Sequence, residues 1–140
     1  MIESYGWTFG DGTTAFAPNV MHTYPVGGPY NVTLTVVNSI GGTAETSQAV
    51  APNSPPIASF TVTCDRLTCS FDASGSRDLD GSILGYAWNF GDGTTGAGIK
   101  TTHAYRFPGT YSVRLIATDN RGATGAQDQS ITISRQPRQP

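Results

Sequence analysis

The sequence predicts an all-β protein built from two tandem β-sandwiches, the first of which lacks its N-terminal strands. Three observations lead to this prediction. Charged residues make up only 13% of the 140 residues, about half the usual share. No window free of Gly and Pro has the apolar spacing of an amphipathic helix, and the abundant Thr, Ser, Gly, Asn and Pro favour strands and turns. The third observation is an internal repeat, which sets the number of modules.

The repeat has an offset of 81 residues. The segment Trp7–Thr14 (WTFGDGTT) returns as Trp88–Thr95 (WNFGDGTT), and the same register continues downstream without a gap. The second copy begins near Pro56, about 28 residues before its counterpart of Met1. We therefore predict a truncated module over 1–51, a Pro-rich linker over 52–56, a complete module over 57–134 and a C-terminal tail over 135–140.

Alternation of apolar and polar residues predicts the strands of the complete copy in chain order. These are Ile57–Thr63, Leu67–Phe71, a strand through Tyr86, Trp88 and Phe90, a strand through Tyr111, Val113, Leu115 and Ala117, and a last strand around Gln127–Ile133. Trp7, Trp88, Phe90 and Tyr111 are assigned to the sandwich cores, in preference to a carbohydrate-stacking role for the two tryptophans.

The two cysteines, Cys64 and Cys69, are predicted to form a disulfide. Four residues separate them, so adjacent strands of a tight hairpin would bring their Cα atoms to the roughly 4.4–6.8 Å that the bond requires. Such a bond indicates an oxidising compartment. The alternative is a reduced, half-buried pair; zinc is not expected, because two cysteines alone make a poor metal site.

Several motifs together resemble the polycystic kidney disease (PKD) repeat of the bacterial and archaeal extracellular type. They are Trp88–Thr94, His103–Tyr105, Pro108–Val113, Thr118–Gly122, Asn53–Phe60 and Phe71–Ser76. The first copy departs slightly, with Asn38 in the position of Asp119. The resemblance implies immunoglobulin-like sandwiches, which occur in surface proteins and as accessory domains of secreted proteases, chitinases and collagenases. Fold alone does not choose among those roles.

Catalysis is not expected, because a catalytic centre normally occurs once whereas residues that serve the fold recur in each copy. His22 and His103 occupy equivalent positions. Asp11 and Asp92 each lie in a Gly-Asp-Gly turn, where the carboxylate can accept hydrogen bonds from backbone amides and the glycines can adopt positive φ. No nucleophile is placed near a base.

Asp78 and Asp80 suggest a calcium site. Two carboxylates at i and i+2 before a glycine lie on one side of a tight loop and suit a hard cation. Some collagenase accessory modules that this repeat resembles bind calcium through an Asn-Ser pair and an Asp-x-Asp pair; the resemblance implies Asn53, Ser54, Asp78 and Asp80 as ligands. The alternative is a solvated turn beside ordinary linker residues.

The net charge of −2 without a basic cluster argues against nucleic acid, and no apolar run is long enough to cross a membrane. We expect a protein that is extracellular or lies on a cell or virion surface. The leading hypothesis is a non-catalytic surface, filament or decoration module with an adhesion or spacer role, which binds proteins or self-assembles by completing its first sandwich. The alternative is an accessory domain pair of a secreted hydrolase that contacts protein or polysaccharide. An exposed aromatic row on one sheet would favour this alternative, but the exposed stacking candidates Tyr5, Phe16 and Phe107 form no convincing planar row in the sequence.

Overall fold

The computed structural model describes residues 1–25 and 27–135, so the predicted tail beyond Arg135 lies outside the described residues. The chain divides into unit 1, Met1–Asn53, and unit 2, which begins at Ser54. The described residues form strands, turns and loops. None of them forms a helix long and apolar enough to span a bilayer.

Unit 1 consists of one antiparallel sheet with the strand order β2-β1-β3-β4. Its strands are β1 (Ile2–Thr8), β2 (Thr14–Ala15), β3 (Tyr30–Asn38) and β4 (Thr43–Val50). Trp7 on β1 lies opposite Leu34 on β3, and alternation places both side chains on the face that also carries Val32 and Val50. The described residues of unit 1 contain no second sheet over that face.

Unit 2 is a complete sandwich of two antiparallel sheets. One has the order β5-β6-β9 and the other the order β11-β10-β7-β8. Their strands are β5 (Thr61–Asp65), β6 (Thr68–Asp72), β7 (Ile83–Asn89), β8 (Thr95–Ala97), β9 (Lys100–Ala104), β10 (Gly109–Asp119) and β11 (Thr124–Ile133). Phe60, Phe71, Trp88, Phe90 and Leu115 fill the space between the sheets. The predicted fold class, all-β with two tandem sandwich modules, is therefore confirmed.

The first strand of unit 2 starts later than predicted. The prediction was Ile57–Thr63, whereas β5 begins at Thr61. Ile57 instead exchanges two backbone hydrogen bonds with Arg77, and the Phe60 amide donates to the Gln127 side chain over 2.8 Å. The two prolines that precede Ile57 have no N–H for a ladder, so this segment crosses between elements before regular pairing starts.

The predicted core residues differ in burial between the copies. Trp88 and Phe90 are each only 2% exposed, whereas Tyr111 is half-buried beside Tyr105. Trp7 is also half-buried, although its counterpart Trp88 is fully enclosed. The cause is the missing cover: in unit 2 the β5–β6 segment lies over the tryptophan, and the described part of unit 1 has no counterpart of it.

Candidate functional site

The Gly-Asp-Gly turns have the same geometry in both units. Asp11 Oδ1 accepts hydrogen bonds from the Thr13 amide at 3.0 Å and the Thr13 hydroxyl at 2.6 Å. Asp92 does the same with the amide of Thr94 at 3.0 Å and its hydroxyl at 2.5 Å. The flanking glycines have φ between 80° and 91°, which is strained for any residue with a Cβ. The aspartates close the turns, as their sequence context predicts.

The second carboxylate oxygen in each turn contacts a histidine. Nε2 of His22 lies 2.7 Å from Asp11 Oδ2, and Nε2 of His103 lies 2.7 Å from Asp92 Oδ2. Each imidazole also stacks on a phenylalanine, Phe9 or Phe90, at centroid distances of 4.1 and 4.2 Å. The histidines therefore tie each turn to its aromatic cluster.

This Thr-His-Asp cluster does not have the geometry of a catalytic triad. In a triad the carboxylate contacts one imidazole nitrogen and the nucleophile contacts the other. Here Asp11 and the Thr13 hydroxyl both lie beside the same atom, Nε2 of His22, and the hydroxyl lies 3.3 Å from it. Unit 2 repeats the arrangement. The arrangement provides no path for a proton from the hydroxyl through the ring to the carboxylate.

The hydrogen bonds in these turns lower the pKa values of their carboxyl groups. The Thr13 hydroxyl and then the His22 ring lower the pKa of Asp11 from the ordinary 3.8 to about 2. For Asp92 the largest influence is burial, which acts to raise the pKa. The bonds from Thr94 and His103 together outweigh it, so the pKa of Asp92 is also lowered.

Three of the four predicted calcium ligands meet in one loop region of unit 2. The Ser54 amide donates to both carboxylate oxygens of Asp80, at 3.2 and 3.1 Å. The Asp80 amide donates to Asp78 Oδ1 at 3.2 Å. Asp80 Oδ2 also lies 3.5 Å from the Arg121 guanidinium. Asn53, the fourth, is the last residue of unit 1 and has hydrogen-bonding or similar partners of its own.

One oxygen in this loop lacks a partner. Asp78 Oδ2 is buried and accepts no hydrogen bond among the described residues. It faces Gly81, where an added Cβ would come within 2.7 Å of it and would also collide with Asn120 Oδ1. Asn120 was not among the predicted ligands, because only the folded β10–β11 turn brings it to the loop. The described residues contain no group of three or more His, Cys, Asp or Glu able to hold a metal.

The disulfide is present in unit 2. Cys64 and Cys69 are register partners on β5 and β6, and their sulfur atoms are 2.06 Å apart. Cys69 is completely buried in the sandwich core. The bond therefore ties the edge strand β5 to the strand that carries part of the core.

Exposed aromatic side chains occur singly. Phe16 in unit 1 is 82% exposed and Phe107 in unit 2 is 58% exposed. Tyr5 is half-buried. In the described part of each unit these rings do not form the flat row that would favour polysaccharide stacking.

Comparison with known proteins identifies related modules. A family model described as PKD domain matches residues 1–52 and 49–134. Collagenase ColA of Bacillus cereus is 37% identical over 67 residues, which span 48% of this chain and 7% of the collagenase. The chain thus corresponds to a small fraction of the curated relatives that it matches.

Two solved structures extend the comparison. The PKD1 domain of the Vibrio cholerae metalloprotease PrtV is 33% identical, with a TM-score of 0.56 over 58% of this chain and 99% of that domain. A structure described as carbohydrate-binding modules from the β-sandwich superfamily is 39% identical, with a TM-score of 0.57 over 60% of this chain and 36% of that one.

Proposed function

Because the chain belongs to the PKD domain family, we propose that it is a non-catalytic, extracellular accessory module of a secreted hydrolase and that it contacts the polymeric substrate of that enzyme. The observation that carries the proposal is the similarity to a collagenase and to a domain of a metalloprotease. These relatives support the accessory-module hypothesis better than the surface, filament or decoration hypothesis.

A protein substrate is favoured over a polysaccharide. Polysaccharide recognition commonly uses several aromatic rings that lie in one plane, and among the described residues each unit has one exposed phenylalanine ring, Phe16 in unit 1 and Phe107 in unit 2. Single aromatic anchors surrounded by polar groups are typical of protein recognition. Collagen is the first substrate to test, because one relative is a collagenase.

A co-sedimentation assay tests this function. The 140-residue chain is incubated with insoluble collagen fibrils, crystalline cellulose or chitin, and the bound fraction is measured. We expect retention on collagen and weaker retention of the Phe107→Ser variant, with Leu84→Ser as the matched control because Leu84 is also exposed. Equal recovery in the supernatant with all three polymers would contradict the substrate-contact role and leave a spacer role.

A calcium ion held by the acidic loop is the second part of the proposal. The support is the buried Asp78 Oδ2 without a partner, beside the oriented carboxylate of Asp80 and the amide oxygen of Asn120. Calcium requires six to eight oxygen ligands, so Ser54, Asn53, backbone carbonyls or water would complete the shell. Arg121 opposes the proposal in part, since its guanidinium already offsets the charge of Asp80.

Calcium binding predicts a chelator-sensitive unit 2. Saturation at about 100 times the dissociation constant would stabilise the folded state by about 2.7 kcal/mol, so a chelator should lower the melting temperature. The Asp78→Asn variant should bind calcium roughly tenfold more weakly, because it removes one ligand charge. Isothermal titration calorimetry measures the affinity, with Asp128→Asn as a control on the exposed part of β11. An unchanged melting temperature after chelation would exclude the site.

A further inference from the structure

The tip of the β5–β6 hairpin is a feature that neither the Gly-Asp-Gly turns nor the acidic loop explains. Asp65 and Thr68 are the last register partners of the two strands, and Arg66 and Leu67 connect them. Arg66 has a φ of 54° and is the only non-glycine residue with positive φ among the described residues. A residue with a Cβ rarely adopts this conformation, whereas glycine adopts it freely. The tip therefore carries arginine at a position where the turn alone would favour glycine.

Two other hairpins of the chain use glycine for the same purpose. The turn between β3 and β4 has Gly41 at a φ of 80°, and the turn between β10 and β11 has Gly122 at a φ of 89°. Residues in unfavourable backbone conformations concentrate at functional positions, where the side chain is needed for something other than the turn. We therefore looked for a role of the Arg66 side chain in its surroundings.

Three interactions hold the tip in place. The disulfide joins Cys64 and Cys69, the register pair next to the tip. The Tyr105 amide donates to the Leu67 carbonyl at 2.7 Å, and the half-buried Leu67 side chain packs against the sandwich core. Arg66 itself is exposed. Because the backbone beneath this exposed side chain is already fixed, binding through Arg66 would require little further ordering of the tip.

Arg66 shares a surface cavity with a second arginine. The cavity has a volume of about 460 Å³, and its lining residues are Asp65, Arg66, Leu67, Thr68 and Arg135. Arg135 is exposed and follows the end of β11 by two residues. Neither arginine takes part in an ion pair among the described residues. Two guanidinium groups and the Thr68 hydroxyl thus offer hydrogen-bond donors at one cavity.

A carboxylate is the ligand that this set of donors fits. A guanidinium binds the planar carboxylate through two parallel hydrogen bonds, and the Thr68 hydroxyl can donate another. Leu67 gives the cavity an apolar wall against which the carbon chain of an acidic side chain can pack. The Asp65 carboxylate on the same rim and the net charge of −2 both repel a densely charged polyanion. An acidic protein segment is therefore favoured over an acidic polysaccharide.

We propose that the cavity between Arg66 and Arg135 binds a carboxylate side chain of an acidic protein segment. Arg66 is the principal donor, because the hairpin fixes its backbone, and Arg135 strengthens the site by its charge. Since both guanidinium groups are exposed to solvent, the affinity is weak, with a dissociation constant of about 1 mM for a single carboxylate. This site goes beyond the proposed substrate contact through Phe107 and does not depend on it.

An NMR titration of the isotope-labelled 140-residue chain tests the site. The probe is a blocked peptide of glycine and serine with one central glutamate, and the control is the same peptide with glutamine in its place. The glutamate peptide should shift the guanidinium Nε–H signals of Arg66 and Arg135 and the amide signals of residues 65–68. The shifts should saturate with a dissociation constant of about 1 mM. The glutamine peptide should leave these signals unchanged.

The Arg66→Gly variant separates binding from folding. Glycine adopts the backbone conformation of Arg66 without strain, so this variant should melt at or above the temperature of the parent. It should bind the glutamate peptide roughly fivefold more weakly, because one surface charge pair is lost. Arg114→Gln is the matched control: it removes the same charge on β10, where Arg114 pairs with Asp128, and should bind as the parent does. Asp65→Asn should bind more tightly, because it removes a repelling charge.

Three results would overturn the proposal. The first is equal shifts with the glutamine peptide, and the second is unchanged affinity of Arg66→Gly. The third is a lower melting temperature of Arg66→Gly, since Arg66 would then serve the hairpin itself. A sulfated polysaccharide that shifts the same signals and binds more tightly than the peptide would also overturn it, because the partner would then be an acidic polysaccharide.

Discussion

At the scale of single residues, one side-chain oxygen closes the equivalent turn in each copy. Asn38 Oδ1 accepts the amides of Ile40 and Gly42 at 3.1 and 2.7 Å. In the other copy, Asp119 Oδ1 accepts the amides of Arg121 and Ala123 at 2.8 and 2.9 Å. The turn therefore accommodates the substitution between the copies, because the amide and the carboxylate offer the same oxygen in the same place.

Asp11 should make the stability of unit 1 depend on pH in the acidic range. The pKa of Asp11 is about 2 in the folded chain against an ordinary 3.8. Its carboxylate therefore contributes fully to the free energy of unfolding above about pH 4, and this contribution is lost as the pH falls towards about 2. The Asp11→Asn variant should be less stable at about pH 6, and its melting temperature should fall less than that of the parent between about pH 4 and pH 2. Scanning calorimetry over this range measures the difference; parallel curves for the two proteins would contradict the assignment.

Sequence reasoning succeeds at Asp11 and Asp92 as far as their interactions are local. The bond to a threonine two residues away follows from the Gly-Asp-Gly-Thr pattern. The bond to a histidine eleven residues away does not, because it depends on how the intervening loop returns. Asn120 was missed for the same reason, since its approach to Gly81 depends on two loops that are distant in sequence.

At the scale of elements, alternation located five of the seven strands of unit 2, and the short strands β8 and β9 were not predicted. β7 and β10 lie where alternating aromatic and aliphatic residues place them. The start of β5 was misplaced because Ile57–Phe60 keeps an apolar pattern while its backbone pairs with Arg77 and Gln127. An apolar pattern predicts which side chains are buried, but it does not predict which groups the backbone pairs with.

The disulfide between β5 and β6 should contribute measurably to the stability of unit 2. Closing a loop of this length is worth about 2 kcal/mol in the chain-entropy account. The Cys64→Ser/Cys69→Ser variant should therefore lose about that much free energy of unfolding, and more if the hydroxyl that replaces the buried Cys69 sulfur finds no hydrogen-bond partner. Urea denaturation of the parent, the variant and the reduced parent separates the two effects. A reduced parent as stable as the oxidised one would contradict the prediction.

At the scale of the whole molecule, the two copies share a sequence pattern but not a completed core. Leu115, Val113 and Ala117 are fully buried in unit 2, whereas their counterparts Leu34, Val32 and Val36 are half-buried in unit 1. The repeat register predicted this deficit, because it showed which strands had no counterpart. The register could not predict that Trp7 would keep the indole hydrogen bond of its counterpart Trp88 without the strands that cover Trp88 in unit 2.

Unit 1 should consequently be the less stable unit. Local opening free energy follows buried apolar contacts, so the β3 amides should exchange with deuterium faster than those of β10. Residues 32–36 and 113–117 provide a matched comparison within one sample, because they are equivalent positions on equivalent strands. Similar protection of the two segments would show that unit 1 gains stability from something other than its own core.

The difference between Ala44 and Gly125 also bears on folding fidelity. Neighbouring repeats of similar sequence can exchange segments and become trapped in misassembled states. In unit 2 a Cβ on Gly125 would collide with the Pro56 carbonyl oxygen, and the equivalent position of unit 1 is occupied by Ala44. We therefore expect unit 1 to accept the segment that leads into β5 less well than unit 2 does. A single methyl group at this position would then disfavour exchange of the segment between the two repeats during folding.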